Sequence, residues 1–239
     1  MLTHAVMSTL RMTHDLRREL ILSAAKRCFA RNGFAGTTTK SVAAAAAISE
    51  GLLFKHFPTK SALYAEILAE ECEADPGLKK LLGLTPSTET LVILIRGMVD
   101  HFLAIPRAPD QVEAQRMRLM VISHLNDGDF ARVLFDKVGE VIGPAFTNAL
   151  EQAIAAGDAS RVGVQPMNLF WFAHHTAMMA ALTQLPAEPS LPIGNAAARE
   201  RQLCEFILRG IGLNEKIIET QMDRELSLDL TTSVTTESA

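Results

Sequence analysis

The sequence predicts an all-α protein with a small helical domain at its N-terminus and a larger helical domain behind it. Three observations predict this. Apolar residues recur at helical spacing over most of the chain, caps and breakers punctuate those runs, and no pair of alternating strands joined by a hairpin turn can be found. The composition agrees: of 239 residues 48% are hydrophobic and 21% charged, but only 5% are aromatic. That favours helix over sheet in an ordinary globular chain.

Taken in order, the first helix starts near Leu16, with Leu20, Ile21, Ala24, Ala25, Cys28 and Phe29 on one face and Arg17, Arg18, Lys26 and Arg27 largely off it. Gly33 after Asn32 is a left-handed stop. Thr37-Thr38-Thr39 offers an N-cap to a short helix from Lys40 to about Ala46. Ser49 caps another through Phe54, with Pro58 beyond its end, and Thr59 caps a third from Lys60 to about Glu73. Pro76-Gly77 and Thr85-Pro86-Ser87 read as punctuation. Long helices follow at roughly 88–105, 110–125, 128–156, 166–185 and 195–212, the third kinked by Gly143-Pro144. Pro186, Pro189 and Pro192 mark a loop.

Charge is unevenly distributed. Residues 1–60 carry nine Lys and Arg against three Asp and Glu, whereas the rest carries fourteen against twenty-four, for a net −4. A basic end on an acidic body suggests that one end meets a polyanion. Cys28, Cys72 and Cys204 are far apart and form no CxxC or zinc spacing, which fits a reduced, cytoplasmic setting. The first fifteen residues lack the continuous apolar core of a signal peptide. They read as a disordered leader, in which Met7 or Met12 could be the native start. The apolar stretch Met167–Leu185 contains Asn168, His174, His175, Thr176 and Gln184, which hydrocarbon would penalise. It predicts a helix buried on two sides of a globular protein, with no membrane partner.

Three short helices within about forty residues, the last two joined by a tight turn, form a helix-turn-helix pattern, in which the final helix lies in the DNA major groove. Val42 and the alanines 43–47 are small enough for the close packing such a motif needs. The run from Leu20 to Leu68, containing G-F-x-x-T-T and then I-S-x-G-x-L-F-x-H-F-x-x-K, resembles the DNA-binding domain of the tetracycline-repressor (TetR) family at nearly every position over about fifty residues. The C-terminal 170 residues share only the family's general helical character.

That resemblance implies site residues. Thr38, Thr39 and Lys40 match positions that touch the DNA backbone or an outer base. Ser49 caps the recognition helix, on which Glu50, Gly51, Phe54 and Lys55 match groove-facing positions. His56 and Lys60 match phosphate-contacting positions. The sequence departs from the family pattern at three places. Ala47 stands where glycine is usual in the turn, at a cost of about 1 kcal/mol for a left-handed alanine. Phe54 replaces the usual tyrosine. Glu50 puts a carboxylate near phosphates, where it could accept from cytosine N4.

In the C-terminal domain, helix 166–185 is apolar nearly all round, with Phe170, Trp171, His174 and Met178 on one stripe. The family resemblance implies that 166–185 and 195–212 pair across a two-fold axis, with Gly210 and Gly212 allowing close approach. Met98, His101, Phe102, Met117, Met120, His124, Trp171, His174 and Met178 are the candidates for a plastic effector pocket. Adjacent histidines such as His174 and His175 point about 100° apart on a helix and do not make a metal pair.

The expected organisation is therefore a disordered leader at 1–13, a helix-turn-helix DNA-binding domain at 14–60, a helical effector-binding and dimerisation domain at 61–225, and a disordered tail at 226–239. The expected function is a cytoplasmic, homodimeric repressor without metal or cofactor. It would bind double-stranded palindromic operator DNA and be released by a small, mostly apolar effector. Two alternatives stay open: a helical DNA-binding regulator controlled by a partner protein, and a helical-bundle enzyme. For the enzyme there is no Glu-x-x-His pair, nucleophile elbow or phosphate loop.

Overall fold

The computed structural model describes residues 13–107, 112–126, 128–191 and 193–223. The expected leader lies outside them except for Thr13, and the expected tail lies wholly outside them. The described residues form helices α1 (His14–Gly36), α2 (Thr39–Ala45), α3 (Glu50–His56), α4 (Lys60–Ala74), α5 (Pro76–Leu82), α6 (Thr88–Ala104), α7 (Val112–Leu125), α8 (Asp129–Ala155), α9 (Pro166–Leu182), α10 (Ala196–Gly210) and α11 (Glu215–Met222). A single 3-10 turn, Ile105–Arg107, follows α6. The only strand-like feature among these residues is one antiparallel bridge, Ala159 to Leu213.

The described residues divide into two compact units, one formed by those up to Glu70 together with Asp129–Leu134, the other by those from Glu71 to Gly128 and from Phe135 onward.

In the first unit, Ile21, Leu22, Ala25 and Phe29 of α1 pack with Val42, Ala43, Leu53, Phe57, Leu63 and Ile67 in one apolar core. Gly33 breaks helical geometry with φ 65°, so α1 is a long helix followed by a last turn on a new heading. Ion pairs Arg18–Glu66 at 2.7 Å and Lys26–Glu70 at 2.8 Å join α1 to α4. Part of the basic charge counted at this end is therefore neutralised within the unit.

In the second unit the most enclosed element is α6, which buries Leu91, Val92, Ile93, Leu94, Ile95, Val99, Phe102 and Leu103 and packs against α9 and α10. Helix α9, the helix expected to be covered on one face by a second subunit, leaves Phe172 and Met179 exposed. Helices α8 and α9 meet along a seam. Phe135 touches Trp171 and His175, while Gly139 faces Trp171 and Gly143 faces Met167. The partners fall in reverse order, so the two helices run antiparallel there. The glycines let the helices come close: a Cβ at Gly143 would stand 2.8 Å from the Met167 sulfur, so that side chain would have to move. Helix α8 continues through Pro144.

Two short helices, α5 and α11, were not foreseen. Asp75 caps α5, and its side chain accepts from the Leu78 N–H at 2.6 Å with Pro76 as the first helical residue. That is a start signal rather than a break. Gly212 also differs from expectation. Its φ is 101°, its carbonyl accepts from the Ser160 N–H at 2.8 Å, and a Cβ would strike the Ser160 carbonyl. It serves a close approach within the chain.

Candidate functional site

Helices α2 and α3 are seven residues each, too short to stand alone in water. Their ends are therefore capped. Thr38 Oγ1 accepts from the Ser41 N–H at 3.1 Å while Ser41 Oγ accepts from the Thr38 N–H at 3.2 Å, a reciprocal capping box. Ser49 Oγ accepts from the Leu52 N–H at 3.2 Å, which starts α3. Thr59 starts α4 in the same way, accepting from the Ala62 N–H at 2.9 Å. Between α2 and α3 the chain turns at Ala47, whose φ of 53° is the one left-handed value at a non-glycine among the described residues. The alanine occupies the strained conformation that the resemblance assigns to glycine.

The expected DNA-contacting residues fall into two groups. Thr38, Lys40, Ser49, Gly51, Phe54 and Lys55 are exposed, Phe54 to 44%. A Cβ on Gly51 would meet nothing within 4 Å. Thr39, Glu50, His56 and Lys60 are half-buried and turned toward the protein itself. The Thr39 hydroxyl donates to Glu50 Oε1 at 2.7 Å.

The Lys60 ammonium donates to the carbonyls of Phe34 at 2.9 Å and Thr37 at 3.0 Å, and lies 4.2 Å from the centre of the Phe34 ring. Burial lowers its pKa, and the two carbonyls and the ring face offset that cost. Two of its three protons are thus committed to the α1–α2 connection. The His56 ring lies tilted against His14 at 4.4 Å between centres, and its Nδ1 is buried with no partner. Burial first, then His14, Arg17 and Arg18, push its pKa down and favour the neutral ring. Sequence spacing could not reveal these inward orientations. His14, opening α1 beside α3, was also missed.

A second candidate site lies in the second unit. Phe102 of α6, Phe135 of α8, and Phe170, Trp171 and His175 of α9 surround His174. Phe102, Phe135 and Trp171 meet it edge to face at 4.9, 5.4 and 5.4 Å. His174 Nδ1 is buried without a partner. Burial, and then His175 and His101, push its pKa down to about 3.

Of the expected pocket residues, Phe102, Trp171 and His174 come together here. His101 joins through Phe102, and His124 through Phe135 and His175. Met117, Met120 and Met178 are buried and Met98 is half-buried. Phe135, Phe170 and His175 were missed as site residues. Phe135 could have been found as the head of the 135–139–143 stripe that α8 turns toward α9.

Fold and site together define an all-α helix-turn-helix protein. The family model for bacterial regulatory proteins of the tetR family matches residues 21–67, the segment that holds the helix-turn-helix. An HTH-type transcriptional repressor of Mycobacterium tuberculosis is 32% identical over 126 residues, which are 52% of this chain and 60% of that repressor. The match thus spans less than two thirds of that relative. Among solved structures, RolR in complex with resorcinol superposes with a TM-score of 0.60 at 16% identity, over 89% of this chain and 95% of RolR. The TetR-family repressor FadR of Thermus thermophilus, in complex with lauroyl-CoA, gives 0.56 at 23% identity, over 83% and 96%. At these identities the likeness is one of fold. Among the described residues no helix is long and apolar enough to cross a membrane, and no group of three His, Cys, Asp or Glu could hold a metal ion.

Proposed function

We propose that this chain is a non-enzymatic transcriptional repressor of the cytoplasm, whose homodimer binds a palindromic operator and is released by a small-molecule effector. One observation carries the DNA-binding part. The matched segment holds a capped α2–α3 pair whose outer surface presents Gly51, Phe54 and Lys55 to solvent. A groove-reading helix needs such a surface.

The homodimer reading is supported by α9 and α10, which expose Phe172 at 62%, Met179 at 55% and Phe206 at 64% around a shallow apolar groove with Leu191 and Ile193. Exposed apolar surface of this kind marks an association site, and a second copy presents the same surface across a two-fold axis. The effector reading is supported by the His174 cluster, where apolar rings from three helices enclose one polar atom without a partner. A mostly apolar effector with a single polar handle would suit such surroundings if the rings part to admit it.

Selection from a random duplex library with the purified full chain tests the reading. An enriched sequence with two inverted half-sites is expected, together with a solution mass of twice 26.0 kDa. Enrichment of a single half-site, or a monomeric mass at micromolar concentration, overturns it.

A further inference from the structure

Thr39 opens α2 and Glu50 opens α3. The 2.7 Å bond between their side chains therefore ties together the first turns of two helices that are otherwise linked by the tight turn through Ala47. The length is that of a well-formed O–H···O hydrogen bond. We propose that Glu50 is a positioning residue: clasped by Thr39, it fixes the angle of α3 against α2, and the discrimination of bases falls to Phe54 and Lys55 on the next turn.

The rest of the α3 surface fits this division. Gly51, beside Glu50, has no side chain to read with, and Phe54 and Lys55 have their side chains in solvent. A free carboxylate facing DNA would be repelled by the phosphates on both sides of the groove. One engaged by Thr39 is spent on the protein. The inference rests on the DNA-binding reading above and deepens it.

Binding of the selected duplex by fluorescence anisotropy tests it, using full-length Thr39→Val, Thr39→Ser, Glu50→Ala, Glu50→Gln and the double variant Thr39→Val/Glu50→Ala. Each is first shown to be folded at the assay temperature by thermal melting. Thr39→Val and Glu50→Ala should each weaken binding roughly tenfold, equivalent to about 1.4 kcal/mol, with base preferences unchanged at every position. The double variant should be no weaker than either single one, because both remove the same bond. Thr39→Ser and Glu50→Gln keep a donor and an acceptor and should bind like the wild type. A base preference that shifts in Glu50→Gln but not in Thr39→Val makes Glu50 a reader and overturns the proposal. Losses that add in the double variant overturn it as well. A wild type that enriches no sequence fells the DNA-binding reading itself, an outcome distinct from either of these.

Discussion

Lowering the pH should destabilise the second unit through one residue, His174. Its folded-state pKa is about 3, against 6.5 for a free histidine. A depressed histidine pKa means that the folded protein refuses a proton which the unfolded chain accepts below pH 6.5. The stability at stake is thus fully present above that pH and is lost progressively as pH falls toward 3. At 1.36 kcal/mol per pH unit, the loss between pH 8 and pH 5 comes to about 2 kcal/mol.

His174→Phe keeps a ring among Phe102, Phe135 and Trp171 and removes the titration. The assay is urea unfolding at both pH values, followed by the emission of Trp171. This is the single tryptophan of the chain and touches His174 at 5.4 Å between ring centres. The wild type should lose about 2 kcal/mol more than the variant on acidification. An equal loss in both would mean that His174 takes its proton inside the fold, and the account of an enclosed, neutral ring would fail.

Lys60→Met should lower the stability of the first unit by about 2 kcal/mol through loss of two charge-assisted bonds, and leave the salt dependence of operator binding unchanged. A drop of about one unit in the salt slope would return Lys60 to a phosphate. Ala47→Gly should be neutral or stabilising by up to about 1 kcal/mol, because relief of the left-handed alanine outweighs the added freedom of the unfolded chain. A clear destabilisation in urea titration would refute that. Gly51→Ala should stabilise the free protein by about 0.5–1 kcal/mol in thermal unfolding and yet weaken operator binding. Unchanged affinity would show that nothing approaches this face closely.

The fold was legible wherever a local rule decides it. Thr38, Ser49 and Thr59 announce their helices because a hydroxyl one residue ahead of an apolar run has a free N–H within reach. The same rule marks Asp75 before Pro76, and α5 was lost only because proline was weighed as a breaker instead of a first-turn residue. Orientation was not legible. Whether Lys60 reaches outward or back to the Phe34 carbonyl depends on where α1 ends, 26 positions earlier in the chain. No periodicity contains that distance. The His174 cluster was half legible for a related reason. Residues of one helix share a face by spacing, so Trp171 and His174 could be paired on paper. Phe135 enters only because α8 and α9 run antiparallel along a seam of glycines.

Much of the helix-turn-helix is explained by the protein's own needs. The capping box, the Lys60 contacts, the Thr39–Glu50 bond and the ion pairs of α1 with α4 all satisfy groups that folding would otherwise strand. Three residues are left over. A glycine within a seven-residue helix costs stability, yet no neighbour forbids a side chain at Gly51. Phe54 leaves 44% of its surface in water, and Lys55 stands exposed beside it. This trio fits the DNA-binding function proposed above. Under that proposal the ligand would come close to Gly51, carry negative charge for Lys55 and offer apolar surface for Phe54. The major groove of DNA meets all three conditions, with phosphates along its rim and thymine methyls on its floor.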